Sequence, residues 1–293
     1  MESNCSPRVA VLLAAYNGIE WIEEQVDSIL AQKNVDITLF ISVDLSTDGT
    51  DVWVSNLANK NENIKFLAYG ERFGGAGANF YRLLRDVDLE GFDYVSFSDQ
   101  DDIWLEGKLE RACSFISAKS CDVYSSDVIA FWDDGKQQLI KKSYSQKKYD
   151  HFFEAAGPGC TYVFNAPSAN KFQSFVKNKK ELVDNISLHD WLAYAFCREN
   201  GFVWFIDSQP MMLYRQHNNN QVGINEGFKA YKKRFLLIRS HWYRNQVENI
   251  ASLVSQSPLR IDRYFFRLAH ALKFRRRLRD RFLILFIILL GIY

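Results

Sequence analysis

The sequence predicts an α/β fold, a mixed but mostly parallel sheet flanked by helices, followed by a helical C-terminal extension. Through the first third of the chain, short apolar runs alternate with amphipathic stretches of helical period, which is typical of parallel strands joined by crossover helices. From about residue 224 the chain instead becomes helical, aromatic and increasingly basic. These observations divide the chain into an α/β domain, residues 1–223, and a helical region, residues 224–293.

The first third of the chain contains repeated strand and helix units. The apolar run RVAVLLAAY predicts a buried first strand. The helix after it has four apolar residues on one face, namely Ile22, Val26, Ile29 and Leu30. The later elements are the strands ITLFISVD, IKFLAY and YVSFS, a helix at about 50–59, a glycine-rich turn RFGGAG and the helix ANFYRLLRDV.

The remainder of the chain is less regular. CDVYSSDVIAF predicts one further strand, which the basic tract KKSYSQKK and the loop AAGPGC follow. LHDWLAYAFCREN predicts a helix that begins near Asp190, and FVWFID predicts the next strand. Between Arg260 and Arg281 nine basic and two acidic residues are interleaved with apolar ones, which predicts a basic amphipathic helix.

The composition argues against some classes of function. The 293 residues include 36 basic and 35 acidic side chains, a formal net charge of +1. This balance does not favour a general nucleic-acid binder, so no nucleic-acid partner is expected. The five cysteines include no CxxC pair, which indicates neither a zinc site nor a disulfide framework. Reduced thiols in a cytoplasmic protein are the simpler interpretation.

Polar side chains follow three of the predicted strands. Tyr16 and Asn17 follow the first strand, Asp44 follows the second, and three aspartates lie within residues 99–102, directly after YVSFS. Ligands of open α/β sheets bind outside the carboxyl ends of the strands. We therefore expect these three loops to meet in one crevice.

The acidic triplet, Asp99, Asp101 and Asp102, allows two interpretations. Neighbouring carboxylates at the end of a buried strand repel one another, and a divalent cation such as Mg²⁺ or Mn²⁺ would remove that repulsion. Alternatively, these residues cap the helix that follows, because aspartate is favoured at helix N-termini. The local sequence leaves both interpretations open.

Several motifs in order along the chain resemble glycosyltransferase family 2. They are AAYNG, SVDLSTDGT, DQDDIW and LHDW, and the similarity extends over about residues 7–222. The wording SDQDDIW and YRQHNNNQVG is most similar to the rhamnosyltransferase-type branch of bacterial surface-polysaccharide synthesis. The resemblance implies the Rossmann-like GT-A fold for residues 1–223. It also implies an inverting, metal-dependent transfer of sugar from a dTDP-rhamnose or UDP-hexose donor to a lipid-linked or polysaccharide hydroxyl.

The resemblance also implies roles for individual residues. Asp190 would be the catalytic base, since transfer with inversion needs a group that accepts the proton of the acceptor hydroxyl. The metal, Mn²⁺ or Mg²⁺, would be bound by Asp101 and His217. His217 alternatively contacts the donor phosphate, and a lone loop histidine usually does neither. The implied donor-binding residues are Ala14, Tyr16, Asn17, Asp44, Gly75, Asn79, Asp99, Gln100, Asp102 and Arg215. The implied acceptor-side residues are Gly159, His189 and Trp191.

Some details of this assignment stay open. Tyr16 is alternatively a core aromatic residue, and Asp190 is alternatively an ordinary helix N-cap. The family often has two adjacent acids where this chain has Val43 and Asp44, so the nucleotide base is not fixed. Two other functions are a sugar nucleotidyltransferase and a catalytically silent membrane adaptor with the same fold. A nucleotidyltransferase would favour an N-terminal glycine-rich, basic phosphate loop, which this sequence lacks. A silent adaptor would have no chemical need for Asp99, Asp101 and Asp190 together.

The C-terminal region predicts contact with a membrane surface. Basic amphipathic helices favour anionic membranes, and the chain ends in RFLILFIILLGIY. Its apolar run of about 12 residues would extend roughly 18 Å as a helix, which is too short to span a bilayer. We expect peripheral attachment through residues 260–293 at the inner face of the cytoplasmic membrane. Packing of this tail on the catalytic domain, or on another subunit of an oligomer, is the alternative.

Overall fold

The computed structural model describes residues 6–217, 241–255 and 260–293. The predicted boundary between residues 223 and 224 lies outside these ranges, as do Cys5 and the end of the motif YRQHNNNQVG. The strands are β1 (Arg8–Ala15), β2 (Asp36–Val43), β3 (Ile64–Phe66), β4 (Tyr94–Ser98), β5 (Ile103–Trp104), β6 (Val123–Ser126), β7 (Val128–Phe131), β8 (Gln137–Ile140), β9 (Val163–Asn165), β10 (Trp204–Asp207) and β11 (Met212–Arg215).

The main sheet has seven strands in the order β10-β6-β9-β4-β1-β2-β3. All pairs in it are parallel except those of β9, which runs antiparallel to both β4 and β6. A smaller sheet has the order β5-β11-β7-β8. The predicted mixed, mostly parallel sheet is therefore confirmed, and β4, β1 and β2 lie side by side at its centre.

Helices cover both faces of the main sheet. They are α1 (Ile22–Leu30), α2 (Thr50–Ala58), α3 (Ala76–Asp86), α4 (Lys108–Ser117), α5 (Ala166–Asn178), α6 (Lys180–Val183), α7 (His189–Glu199), α8 (Trp242–Val254), α9 (Tyr264–His270) and α10 (Leu278–Leu289). Strand β1 is buried on both faces: Ala10 and Leu12 belong to one core cluster, whereas Val9, Val11 and Leu13 belong to the other. This double burial explains why its sequence is continuously apolar.

The predicted strand CDVYSSDVIAF is in fact two strands in different sheets. Strand β6 belongs to the main sheet and β7 to the smaller one, and Asp127 lies between them. The Asp127 carboxylate is buried and accepts the backbone N–H groups of Lys142 and Ser143 at 2.6 and 2.8 Å. The chain therefore changes sheets at a buried hydrogen-bonding residue. A smaller error concerns Leu30, which is 40% exposed although it was predicted on the buried face of α1.

The predicted amphipathic helix over residues 260–281 is wrong. Helix α9 ends at His270 and α10 begins at Leu278. Between them the Arg276 backbone N–H donates to Glu154 at 2.6 Å, and the Arg276 guanidinium lies 3.1 Å from Asp150, where both side chains are buried. Because Arg276 is buried against Asp150, the chain does not continue as one surface helix through this position.

The described C-terminal residues pack against the α/β domain. Phe274, Ile284, Ile288 and Tyr293 belong to the same core cluster as Ala10 and Leu12 of β1. The opposite face of α10 is apolar and exposed. Among the described residues, no helix is both long and apolar enough to cross a membrane.

Candidate active site

A cavity of about 2000 Å³ opens at the carboxyl ends of β1, β2 and β4. It also extends to residues of α7, α8 and α10. The predicted site residues that line it are Ala14, Tyr16, Asn17, Asp44, Gly75, Asn79, Asp99, Gln100, Asp101, Gly159, His189, Asp190 and His217. The structure thus brings together loops that are far apart in the sequence, as the strand-end rule predicts.

The loop after β1 is held open toward the cavity by Gln100. The Tyr16 backbone N–H donates to Gln100 Oε1 at 2.8 Å, and Gln100 Nε2 donates to the Tyr16 carbonyl at 2.8 Å. A Cβ atom at Gly18 would lie 2.0 Å from Gln100 Oε1, so only glycine allows this approach. The Tyr16 side chain is 48% exposed and is therefore not a core aromatic residue.

Asp44 holds the glycine-rich loop between β3 and α3. Its Oδ1 accepts the backbone N–H groups of Leu45 at 2.7 Å and Phe73 at 2.8 Å, and its Oδ2 accepts that of Gly74 at 2.9 Å. Asn79 is also buried, and its Nδ2 donates to the Ala15 carbonyl at 3.2 Å. Both residues consequently shape the wall of the cavity as well as facing it.

The acidic triplet does not cap the next helix. Helix α4 begins at Lys108, and its N-cap is Gly107 with φ 80°. The short strand β5 lies between the aspartates and that helix. The capping interpretation, including the cap proposed for Asp102, is therefore wrong.

Asp101 and His217 meet at the cavity wall. The His217 Nε2 atom lies 2.7 Å from Asp101 Oδ2, and the imidazole stacks on the Trp21 ring with centroids 4.1 Å apart. Burial and then the neighbouring charge of Asp101 raise the pKa of Asp99 to about 7. Two carboxylates and one imidazole thus face a single part of the cavity.

Asp102 and Arg215 lie behind this wall and do not line the cavity. Asp102 is fully buried and accepts the Arg215 backbone N–H at 3.1 Å. The Arg215 guanidinium donates to the Asp101 carbonyl at 2.8 Å and pairs with Glu24. Both residues thus hold the Asp101 loop in place from behind, and their part in binding the donor stays a prediction.

A buried cluster of polar groups lies beside Asp102. The ligand atoms of Asp99, Asp102 and Cys160 lie within 4.8 Å of one another. Burial and then the Asp102 charge raise the pKa of the Cys160 thiol well above its ordinary value, and burial lowers the pKa of Lys108 to about 7. A protonated thiol donates hydrogen bonds and is a poor ligand for a hard cation. This cluster therefore supports the acidic loop from behind.

Asp190 lies at the second position of α7, after the N-cap Leu188, and is not itself an N-cap. Burial raises the pKa of Asp190 to about 6. The Trp191 backbone N–H, which donates to Asp190 Oδ1 at 2.8 Å, and the charge of Lys142 act in the opposite direction. The helix N-terminus therefore only moderates the effect of burial, and at pH 7 the side chain is mainly a carboxylate.

His189 cannot serve as the base in place of Asp190. Its ring is stacked on Phe80 with centroids 3.8 Å apart, and burial lowers its pKa to about 3. A Cβ atom at Gly159 would lie 2.6 Å from His189 Nε2 and 3.1 Å from Asp190 Cβ. Gly159 thus allows its loop to pack directly on the start of α7, and the neutral histidine fixes that contact.

Trp191 was predicted in the acceptor wall, but it lies behind the residues that line the cavity. Its Nε1 donates to the His151 carbonyl at 3.0 Å, and its ring stacks on Tyr243 with centroids 5.6 Å apart. Tyr243 of α8 lines the cavity instead. The wall on this side therefore comes from the C-terminal region.

Comparison with known proteins identifies the family. A family model described as Glycosyl transferase family 2 matches residues 10–175, more than half of the chain. The dTDP-rhamnosyl transferase RfbG of Shigella flexneri is 45% identical over 289 residues, which cover 96% of this chain and 100% of that protein. The chain belongs to glycosyltransferase family 2. This membership favours a glycosyltransferase over the nucleotidyltransferase and silent-adaptor alternatives.

Two further matches extend beyond the family model. A GalNAc(5)-diNAcBac-PP-undecaprenol beta-1,3-glucosyltransferase of Campylobacter jejuni is 22% identical over 234 residues, covering 77% of this chain and 70% of that protein. The structure of Staphylococcus aureus TarS 1-349 with UDP-GlcNAc aligns with a TM-score of 0.58 at 16% identity, covering 96% of this chain and 71% of that one. The structural match confirms the predicted GT-A fold of this glycosyltransferase.

Three side chains of this family 2 glycosyltransferase are suitable ligands for a hard divalent cation. Asp99 and Asp101 both line the cavity, and His217 Nε2 lies 2.7 Å from Asp101 Oδ2. The raised pKa of Asp99 reflects repulsion by Asp101 as well as burial, and a cation between these groups would relieve it. Oxygen ligands and one imidazole suit Mn²⁺ or Mg²⁺.

Sequence reasoning missed several basic residues that line the cavity. They include Lys142, Arg275 and Arg279. Their only sequence signals were the tracts KKSYSQKK and FRRRLR. Charge runs usually form solvated surfaces, so nothing in these tracts indicated that they face the catalytic cavity.

Proposed function

We propose that the protein is an inverting, metal-dependent glycosyltransferase of bacterial surface-polysaccharide synthesis. Rhamnose from dTDP-rhamnose is the proposed donor sugar, on the strength of the 45% identity to RfbG. The proposed acceptor is a hydroxyl of a lipid-linked glycan, which fits the undecaprenol-linked substrate in the name of the Campylobacter relative. The observation that carries the proposal is the position of Asp190 in the same cavity as the acidic residues and the basic residues.

The charges around Asp190 support its role as the base. The charge of Asp190 contributes to the raised pKa of Asp99. The charge of Lys142 acts to lower the pKa of Asp190. A carboxylate with a pKa of about 6 is mainly deprotonated at neutral pH and still accepts a proton readily. Asp190 is therefore suited to accept the proton of an acceptor hydroxyl in this cavity.

The proposed reaction is a single displacement at the anomeric carbon. The acceptor oxygen forms a bond to that carbon while its proton passes to the Asp190 carboxylate, and the bond between the carbon and the donor phosphate oxygen breaks. Attack opposite to the leaving nucleoside diphosphate inverts the anomeric configuration. A divalent cation bound by Asp101 and His217, with Asp99 nearby, would supply positive charge to the departing diphosphate.

Nucleotide binding provides the test of this proposal. We expect dTDP with Mn²⁺ to raise the melting temperature by about 4 °C or more at about 100 times Kd, because ligand binding stabilises the folded state. The Asp101→Asn variant should lose the metal-dependent part of this increase, whereas Asp36→Asn, at an exposed strand start, should retain it. UDP and UDP-hexoses serve as the competing ligands in the same differential scanning fluorimetry experiment. Absence of stabilisation by any nucleotide with metal would contradict the proposal.

We also propose that α10 attaches the protein to the inner face of the cytoplasmic membrane. Five apolar side chains of the C-terminal region are 54 to 58% exposed, namely Phe282, Leu283, Phe286, Leu289 and Leu290. Three of them, Leu283, Phe286 and Leu290, also border the cavity. Exposed arginines at positions 277 and 279 precede them. An apolar face next to basic residues favours anionic membrane surfaces.

Vesicle flotation tests this attachment. Replacing Phe282 and Phe286 together by serine should weaken partitioning onto phosphatidylglycerol vesicles by about tenfold or more, because two large apolar side chains no longer insert. Val52→Ser is the matched control, since Val52 is 59% exposed on the distant helix α2. Equal flotation of the double variant and the wild type would show that α10 does not bind the membrane.

A further inference from the structure

The cavity has a second charged region, the basic end, which consists of Lys142, Arg275 and Arg279. It lies on the side of the cavity formed by the C-terminal region, together with Leu283 and Ile287 of α10. The donor sugar, the nucleotide and the metal account for the acidic part of the cavity. The basic end has no role in that assignment.

Lys142 is a fixed and largely enclosed cation at this end. Its backbone N–H donates to the buried Asp127 carboxylate at 2.6 Å, which sets the position of the main chain. Its Cγ packs on Gly157, where an added Cβ atom would lie 3.4 Å away. Among the described residues, no carboxylate oxygen lies within 4.0 Å of Lys142 Nζ. Burial and then the charge of Arg276 lower the pKa of Lys142, so the site as it stands favours an added anion.

The neighbouring arginines differ in how far their charge is already compensated. Arg276 is committed to the buried Asp150 carboxylate at 3.1 Å. Arg275 lies 3.8 Å from Glu154, and its guanidinium donates to the Phe153 carbonyl at 2.6 Å. Arg279 is exposed and lies 3.1 Å from the adjacent Asp280. The basic end thus retains cationic groups that face the cavity.

Asp190 lies beside Lys142 in the cavity. A short loop contacts both side chains: a Cβ atom at Gly157 would lie 3.4 Å from Lys142 Cγ, and one at Gly159 would lie 3.1 Å from Asp190 Cβ. Asp99 and Asp101 line the same cavity. An anion bound at Lys142 would therefore lie next to the proposed base.

We propose that the basic end binds the diphosphate of a polyprenyl-diphosphate-linked acceptor, whose first isoprene units lie against Leu283 and Ile287 of α10. This inference rests on the proposed function, since it assumes that the acceptor is lipid-linked. The groups that line the cavity suit such an acceptor: Asp190 for its sugar hydroxyl, Lys142 and Arg275 for its diphosphate, and the apolar side chains of α10 for its hydrocarbon. Cationic side chains bind phosphate oxygens through charge-assisted hydrogen bonds.

A flat membrane surface does not account for Lys142. Anionic head groups at the surface of a bilayer can reach exposed arginines such as Arg277 and Arg279. Lys142, however, lines the cavity, next to Gly157 and close to the carboxylate of Asp190. Only a ligand that enters the cavity can place a phosphate there.

Calorimetric titration with farnesyl diphosphate tests the proposal on the full-length protein. Saturating dTDP and Mn²⁺ keep the probe out of the donor site. We expect Lys142→Gln to weaken farnesyl diphosphate binding by about tenfold or more, because a charge-assisted contact is lost. Lys142→Arg should largely restore binding, and Lys60→Gln, an exposed lysine after α2, should leave it within about twofold of wild type. Affinity for dTDP should stay unchanged in all three variants.

Two further probes distinguish the parts of the ligand. Farnesol and inorganic pyrophosphate should each bind more weakly than farnesyl diphosphate, because each lacks one of the two recognised groups. The proposal is overturned if Lys142→Gln binds farnesyl diphosphate as wild type does, or if farnesol binds equally well. Equal binding of pyrophosphate would overturn the isoprene part. If dTDP does not bind but the effect of Lys142→Gln persists, the proposed function fails and the anion site stands.

Discussion

Replacement of Asp190 by asparagine should lower kcat by about 10²-fold to 10⁴-fold, the usual contribution of a general base. Asparagine has nearly the same shape but cannot accept the proton of the acceptor hydroxyl. Since the proposed metal ligands are other residues, Asp101 and His217, which contact each other, dTDP binding should be retained. Steady-state transfer rates, measured alongside nucleotide affinity, check both expectations.

The pH dependence separates a chemical role of Asp190 from a structural one. In the wild type, kcat/KM should fall about tenfold per pH unit below pH about 6, because the base becomes protonated. Asp190→Asn should lack this acidic limb. Asp184→Asn, whose carboxylate is 43% exposed and paired with Arg85, is the matched control and should keep both rate and profile. An Asp190→Asn enzyme with more than about a tenth of wild-type activity would exclude Asp190 as the base.

Replacement of Arg276 by methionine should lower the free energy of unfolding by about 3 kcal/mol or more, since it removes one partner of a buried ion pair. Arg276 and Asp150 are both almost fully buried, and the same guanidinium donates to the Ala155 and Ala156 carbonyls at 2.6 and 3.1 Å. Urea unfolding measures the effect. Arg277→Met, at an exposed neighbouring position, should change stability by no more than about 0.5 kcal/mol.

The partner of Arg276 allows a sharper control. Burial alone would raise the pKa of Asp150, but His151 and the charges of Arg276 and Arg198 lower it to about 2. Asp150→Asn combined with Arg276→Met should therefore be less destabilised than the sum of the two single variants, because either substitution alone already breaks the buried pair. Strict additivity would show that the two side chains are not coupled.

The loops at the centre of the cavity could be predicted from hydrophobic periodicity and from the rule that ligands bind at strand ends, because local sequence determines the strands. Buried parallel strands must be continuously apolar, as β1 is, and the carboxyl ends of β1, β2 and β4 meet because these strands are neighbours. The loops that carry Tyr16, Asp44 and Asp101 were therefore correctly placed together. Their roles in binding donor and metal stay predictions.

The basic end could not be predicted in this way. Lys142 owes its position to the Asp127 carboxylate, a contact between residues 15 apart across two sheets. The C-terminal tract shows the helical period of an amphipathic helix, but the buried pairing of Arg276 with Asp150 interrupts it. The positions of Lys142 and Arg276 thus each depend on a contact with a carboxylate that is distant in the sequence. One sequence alone does not reveal such a contact.

We expect the donor diphosphate and its metal to bind at Asp101 and His217, and the basic end to stay clear of the nucleotide. A crystal structure with dTDP and Mn²⁺, with data collected at the manganese absorption edge, is the decisive measurement. We predict an anomalous peak at Asp101 and His217, a thymine ring near Tyr16 and Asp44, and Lys142 without contact to the nucleotide. A peak between Asp102 and Cys160, or a diphosphate of the nucleotide bound at Lys142 and Arg275, would contradict this arrangement.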